Sequence, residues 1–211
     1  MTSLLWTGPH DSDHVLVLAH GAGAPMDSPW MEEVAALLGG HGVRVARFEF
    51  AYMASRREGG RRPAPRAEAV LDEYRAVVER LRAETDAAPA IGGKSFGGRV
   101  ASMIADEEFA AGRIRGLVCL GYPFHPAGAP ERTRVAHLAE LTTPTLVCQG
   151  ERDPLGTRAE VEGYALSPEI ALHWAPDGDH SLKPRKASGL TLADNLGAAA
   201  AAIAGFLTAS R

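Results

Sequence analysis

Ser95, Asp153 and His180 have the types and the chain order that nucleophilic acyl chemistry requires. Ser95 lies in Gly93-Lys94-Ser95-Phe96-Gly97, a G-x-S-x-G turn. A serine hydroxyl is a weak nucleophile at neutral pH, so it needs a base to take its proton and an acid to orient that base. Where this turn carries a nucleophile between a strand and a helix, the acid follows the serine and the histidine comes last. "CQGERDP" supplies Asp153 and "PDGDHSL" supplies His180, each just beyond an apolar run. Glu151 is the nearest rival acid. His125, in "GYPFHP", is a rival base, but it precedes any acid placed after the next apolar run. Asp177 and Asp179 lie too near His180 in the chain to orient it easily. His20, His41, His137 and His173 read as packing or surface residues.

The same stretch also ends like a phosphate-binding loop, G-x-x-x-x-G-K-[ST]. That loop requires a glycine five positions before Gly93, and Ala88 stands there. The other glycine-rich turn, "HGAGAPM", has Gly21 and Gly23 but puts Met26 where a dinucleotide fingerprint needs its third glycine. Both nucleotide motifs fail on spacing. Acyl chemistry also needs two backbone donors for the oxyanion. Phe96 N–H follows the nucleophile, and Ala22 N–H, in the turn after an earlier apolar run, is the second candidate.

These residues must be carried by elements that end together. Short apolar runs at 14–20, 43–50, 89–93, 116–123, 144–150 and 170–176 read as strands, with 3–6 as an added edge. Several are apolar nearly throughout, as in a parallel sheet covered on both faces. Helical patterns fall between them. Ser28 caps a helix with Pro29 first, running to about Leu38 and stopped by Gly39-Gly40. Others cover 66–84, Phe96 to about Asp106, "RVAHLAEL", "TRAEVEGYAL" and 189–208. The alternation predicts one α/β domain over residues 1–211. Its sheet is doubly wound and mainly parallel, of about six to seven strands, with helices on both faces. Ligands of such sheets bind at the carboxyl ends of the strands, where Ser95, Asp153 and His180 all fall.

Composition narrows the partners. The 211 residues carry a net charge of −4, which makes no electrostatic case for nucleic acid. The Ala-rich stretch from Gly197 to Leu207 is short for a membrane span and reads as a buried helix face. The N-terminus shows no basic segment followed by a long apolar one, so the expectation is a cytoplasmic protein. Cys119 and Cys148 sit inside apolar runs and read as buried thiols. No cofactor and no metal enter the expected chemistry. The oligomeric state is left open.

The substrate is less legible. About twenty residues connect Pro123 to Thr145, an ordinary α/β connection with no room for a lid domain. An open site fits a small-molecule or carrier-attached acyl substrate. "SRREGGRRPAPR" puts Arg56 and Arg61 beyond a strand end, where guanidinium forks would clamp an anionic substrate. A solvated loop is the alternative. Lys94 could join that clamp or cover the sheet. Met26, Tyr52, Tyr122, Phe124 and His125 follow strand ends and could line an acyl pocket or simply pack.

"LAHGAGAPMDSPWM", "RFEFAYMASRREGGRRPAPR", "GGKSFGGRVAS", "LGYPFHPAGAPERTR", "CQGERDPLG" and "DGDHSLKP" span about residues 15–184. Together they resemble the α/β-hydrolase superfamily. Within it, they resemble the small lidless group related to the hydrolase-like domain of a chromatin acetyltransferase-complex subunit. The resemblance implies a doubly wound sheet, a Ser95–His180–Asp153 triad, and ester or thioester hydrolysis through an acyl-enzyme. It also implies an alternative, since some relatives keep the fold as a binding or scaffold module without turnover.

Overall fold

A computed structural model describes residues 3–60, 63–85 and 87–209. The apolar runs form seven strands: β1 (Leu4–Thr7), β2 (Val15–Ala19), β3 (Arg44–Phe48), β4 (Ala90–Lys94), β5 (Gly116–Leu120), β6 (Thr145–Gly150) and β7 (Ile170–Ala175). They make one sheet in the order β1-β3-β2-β4-β5-β6-β7, parallel except for β1, which pairs antiparallel with β3. Every residue of β2, β5 and β6 is buried, which accounts for their uniform apolarity. β1 and β7 close the edges and are only partly buried.

Among the described residues, six α-helices accompany the sheet: α1 (Pro29–Gly40), α2 (Ala51–Arg57), α3 (Leu71–Glu84), α4 (Phe96–Ala110), α5 (Arg158–Val161) and α6 (Leu192–Ala209). Alternate residues of one strand feed two separate cores. Val17 and Ala19 pack with Tyr74 and Leu81 of α3 and Ile104 of α4. Leu16 and Leu18 face the other way, toward Met31 and Leu38 of α1 and Leu196 and Ile203 of α6. The strand order reverses between β2 and β4, so the turns after these two strands open a crevice at the carboxyl edge.

Several expected elements change. α1 continues through Gly39 and Gly40, and Ser28 stands at its N-cap without a side-chain capping bond. "RVAHLAEL" forms only a single 3₁₀ turn at Ala136–Leu138, and "TRAEVEGYAL" only the one-turn α5, closed at its start by the Thr157–Glu160 capping box. The segment after Phe50, to which the sequence assigns no helix, begins with α2, which takes in the start of the Arg-rich stretch. Its polar run masked the buried Tyr52 and Met53. α6 is longer than its Ala-rich centre. By length and mean hydropathy of 1.4 it could cross a membrane, but its Leu196, Ala199, Ile203 and Leu207 face is buried in the second core.

Candidate active site

Ser95 stands between the last residue of β4 and the first of α4, with φ +50° and ψ −111°. A side chain in that region costs on the order of 1–3 kcal/mol and persists only where the surroundings enforce it. The enforcement is local: Ser95 N–H donates to Leu120 O at 2.9 Å, while Ser95 O accepts the first helical bond from Arg99 N–H at 3.0 Å. The flanking glycines allow backbones to meet. A Cβ at Gly97 would lie 2.6 Å from the carbonyl oxygens of Ala19 and His20, and one at Gly93 would lie 2.6 Å from Gly97 C. The tight turn therefore pins α4 against the end of β2.

His180 reaches this turn from the loop after β7. Its Nε2 lies 2.8 Å from Ser95 Oγ, and its Nδ1 lies 2.7 Å from Asp153 Oδ2. With the carboxylate accepting from Nδ1–H, Nε2 is the acceptor for the serine hydroxyl. Asp153 is fully buried beyond β6 and also accepts from Gln149 Nε2 at 2.9 Å and Leu155 N–H at 2.8 Å. Three donors thus fix its two oxygens. Gln149 accepts Tyr122 N–H at 2.7 Å through its own oxygen, tying the end of β5 to the acid. Sequence reasoning missed Gln149. Its signal was a polar residue in an otherwise apolar strand.

The structure separates the rival residues from this relay. Glu151 accepts from Arg158 at 2.9 Å and from Asp177 N–H at 2.9 Å. His125 is buried beside Pro126 O at 2.9 Å, with Nε2 3.6 Å from Glu160. A second serine–histidine contact joins Ser102 Oγ to His137 Nε2 at 2.9 Å. Ser102 is buried in regular helix and donates its one hydroxyl proton to Arg99 O at 2.8 Å. His137 must therefore donate to Ser102, the reverse of what a base does. Burial, and then the Arg99 charge, lower the His137 pKa. No carboxylate among the described residues hydrogen-bonds its other ring nitrogen.

Lys94 turns away from any phosphate role. Its Nζ donates to His180 O at 2.9 Å and sits 4.3 Å from the centre of the Trp30 ring. Trp30 Nε1 in turn donates to Ser181 O at 3.0 Å, so the two side chains tether consecutive carbonyls of the histidine loop. Burial pushes the Lys94 amine down to about 8, against the opposing pull of Asp153 and Asp179.

The turn after β2 is held by His20. Its Nε2 accepts Phe50 N–H at 3.2 Å, which leaves Nδ1–H to donate to Gly21 O at 2.6 Å. Burial lowers the His20 pKa and keeps the ring neutral. The Tyr52 hydroxyl and Arg56 Nη1 each lie 3.3 Å from Ala22 O. The carbonyls of Gly21 and Ala22 are thereby occupied, while the Ala22 and Phe96 N–H groups have no partner among the described residues. Both residues line space around Ser95.

The expected substrate residues largely serve the scaffold. Arg56 is engaged with the Ala22 carbonyl and stacks 5.4 Å from the Tyr52 ring centre. Its neighbour Arg57 is bound to Glu49 and Asp27, and Glu49 also accepts Met26 N–H at 3.2 Å. Arg61 lies outside the described residues. Met26, Tyr52, Tyr122, Phe124 and His125 are all buried, and Tyr122 and Phe124 are fully so. Tyr52, Tyr122 and Phe124 belong to the first core. Both thiols are buried and free, and burial raises both pKa values, that of Cys148 to about 12.

Two cavities meet at Ser95 and Ala22. One, of about 570 Å³, runs past His180, Lys94 and Trp30. The other, of about 870 Å³, runs over Phe96 toward Arg99, Leu155 and Arg134.

A family model described as "Alpha/beta hydrolase domain" matches residues 12–208. Among solved structures, the chain is similar to a dienelactone hydrolase from Anabaena variabilis, with TM-score 0.75 and 20% identity over 98% of this chain and 91% of that one. It is also similar to an α/β serine hydrolase without lid from Xanthomonas campestris, with TM-score 0.68 and 21% identity over 100% and 91%. An α/β serine hydrolase homologue from Coxiella burnetii gives TM-score 0.70 and 15% identity over 93% and 90%. At these identities the likeness is one of fold.

Proposed function

Because the chain belongs to the alpha/beta hydrolase domain family, we propose that it is a serine hydrolase of carboxylic esters or thioesters, with Ser95, His180 and Asp153 as its triad. The observation that carries this reading is the continuous relay Ser95 Oγ–His180 Nε2 at 2.8 Å and His180 Nδ1–Asp153 Oδ2 at 2.7 Å, set on a strained turn between two cavities. Ser95 Oγ attacks the carbonyl carbon as His180 Nε2 takes its proton. Phe96 and Ala22 N–H groups hold the oxygen that becomes negative, each such donor being worth roughly 3–4 kcal/mol. The tetrahedral intermediate expels the alcohol or thiol, which takes the proton from Nε2. Water then attacks the acyl-serine by the same route, releasing the acid and restoring Ser95. Asp153 keeps His180 in the right tautomer and stabilises the imidazolium. The narrower kinship to the lidless, chromatin-associated group is part of this proposal and rests on the sequence stretches quoted above.

A fluorophosphonate probe tests the reading. Wild type and Ser102→Ala should label, and Ser95→Ala should not. Folded wild type that neither labels nor turns over any p-nitrophenyl ester would return the chain to the scaffold reading.

A further inference from the structure

Four of the residues lining the larger cavity are arginines, Arg66, Arg99, Arg132 and Arg134, against the single carboxylate of Glu68. Glu68 is committed to Arg99, at 3.0 Å. The guanidinium of Arg134 is half-buried and has no hydrogen-bond or ion-pair partner among the described residues. Burial lowers its pKa, and the Arg99 charge beside it lowers it further. Arg99 Nε is itself buried without a partner. Beyond the Glu68–Arg99 pair, a folded chain gains nothing by gathering like charges around a cavity, since they repel one another and the half-buried Arg134 forfeits hydration without a partner. An anion entering that space would supply the missing partner, and guanidinium forks suit a carboxylate or phosphate.

The direction of proton transfer says which half of the substrate lies there. The leaving group must receive the proton from His180 Nε2, and His180 lines the smaller cavity rather than the larger. The leaving group therefore departs past His180 and Trp30, and the acyl chain extends toward the arginines. We infer that the substrate's acyl portion bears an acidic group, carboxylate or phosphate, bound in the larger cavity by Arg134 with Arg99, Arg132 and Arg66. This inference rests on the hydrolase reading above. It moves the anion site from the expected Arg56 and Arg61 to the arginines that line the larger cavity.

The test compares p-nitrophenyl hydrogen adipate and p-nitrophenyl 5-phosphonopentanoate with p-nitrophenyl hexanoate, which carries no acid. Wild type should prefer at least one acidic ester in kcat/KM by about tenfold, equivalent to roughly 1.4 kcal/mol. The better of the two identifies the acid. Added salt should shrink that preference. Arg134→Gln should collapse the acidic-to-neutral ratio toward one, and Arg132→Gln, on an exposed side chain, should reduce it in a fold that circular dichroism shows intact. If the fluorophosphonate labels Ser95 and hexanoate is cleaved as well as either acidic ester, the inference fails while the hydrolase reading stands. A preference that survives Arg134→Gln unchanged also overturns it. If nothing labels and no ester is cleaved, the hydrolase reading fails and takes the inference with it.

Discussion

Replacing Lys94 by methionine should leave stability near neutral pH almost unchanged while altering how stability depends on pH. Burial holds the Lys94 amine at about 8. The ordinary value is about 10.4, and each unit is worth ~1.4 kcal/mol, so keeping this side chain charged in the fold costs on the order of 3 kcal/mol. That cost is net of the contacts the amine makes, to His180 O at 2.9 Å and over the Trp30 ring at 4.3 Å. Methionine removes it but leaves the His180 carbonyl without its donor, which costs about 1–3 kcal/mol. The two changes oppose each other, so Lys94→Met should shift stability at pH 7 by no more than ~1–2 kcal/mol. The pH dependence is the sharper readout. Below pH 8 the amine is protonated in both folded and unfolded chains, and the penalty is constant. Between about pH 8 and 10.4 the unfolded chain binds more protons than the folded one, so stability rises with pH across that window. Wild type should gain about 2 kcal/mol over Lys94→Met between pH 7.5 and 10, or ~4–8 °C in Tm for a chain of this size. Thermal unfolding of the two proteins at four pH values checks this. Parallel curves would refute the assignment of a buried, charged Lys94. The same variant releases the histidine loop from its tether, so p-nitrophenyl ester turnover should fall by about tenfold at pH 7 even though the fold persists.

Two further substitutions probe other parts of the site. Asp153→Asn should lower kcat by ~10³–10⁴-fold, because the amide favours the wrong His180 tautomer, and should lower stability by about 1–3 kcal/mol, because its NH2 then faces the Gln149 donor; steady-state ester hydrolysis and urea unfolding of the variant measure both. Gly97→Ala should destabilise the protein by at least ~2 kcal/mol in urea unfolding, since its Cβ would lie 2.6 Å from two backbone carbonyls at the end of β2 and neither can move away freely.

What the sequence made legible depended on backbone periodicity and on residues with few alternatives. The strands could be read because β2, β5 and β6 are buried on both faces, which leaves uninterrupted apolar runs. The Ser95 turn could be read because its glycines have no substitute where the gap to Ala19 O and His20 O excludes a Cβ. His180 and Asp153 followed from chain order, and the structure brings both to hydrogen-bonding distance of their neighbours in the relay. Short helices were harder: "RVAHLAEL" has helical spacing, but only Leu138 and Leu141 are buried there, and the chain leaves after one 3₁₀ turn.

The Arg-rich run poses a different problem. The run from Arg56 to Arg66 announces itself as a cluster in sequence, yet sequence does not show where each guanidinium finds its acid. Glu49 is the deciding residue. It sits almost fully buried beyond β3, and Arg57 and Met26 N–H converge on it. That carboxylate absorbs the positive charge nearest to it and fastens the turn that presents Ala22. Arg99 and Arg134, thirty-five residues apart in the chain, never form a run, because one comes from α4 and the other from the connection after β5. Only the fold sets them side by side, and only there does their shortage of carboxylates become visible. Lys94 shows the same thing on a smaller scale. Next to Ser95 in sequence it looks like part of a phosphate loop. In three dimensions its ammonium points back along the histidine loop and holds the His180 carbonyl. A positive side chain near Ser95 is therefore read by its acceptors. Lys94 has a carbonyl and an indole, Arg57 has two carboxylates, and Arg134 has none among the described residues, which is why the acidic acyl group is assigned to Arg134.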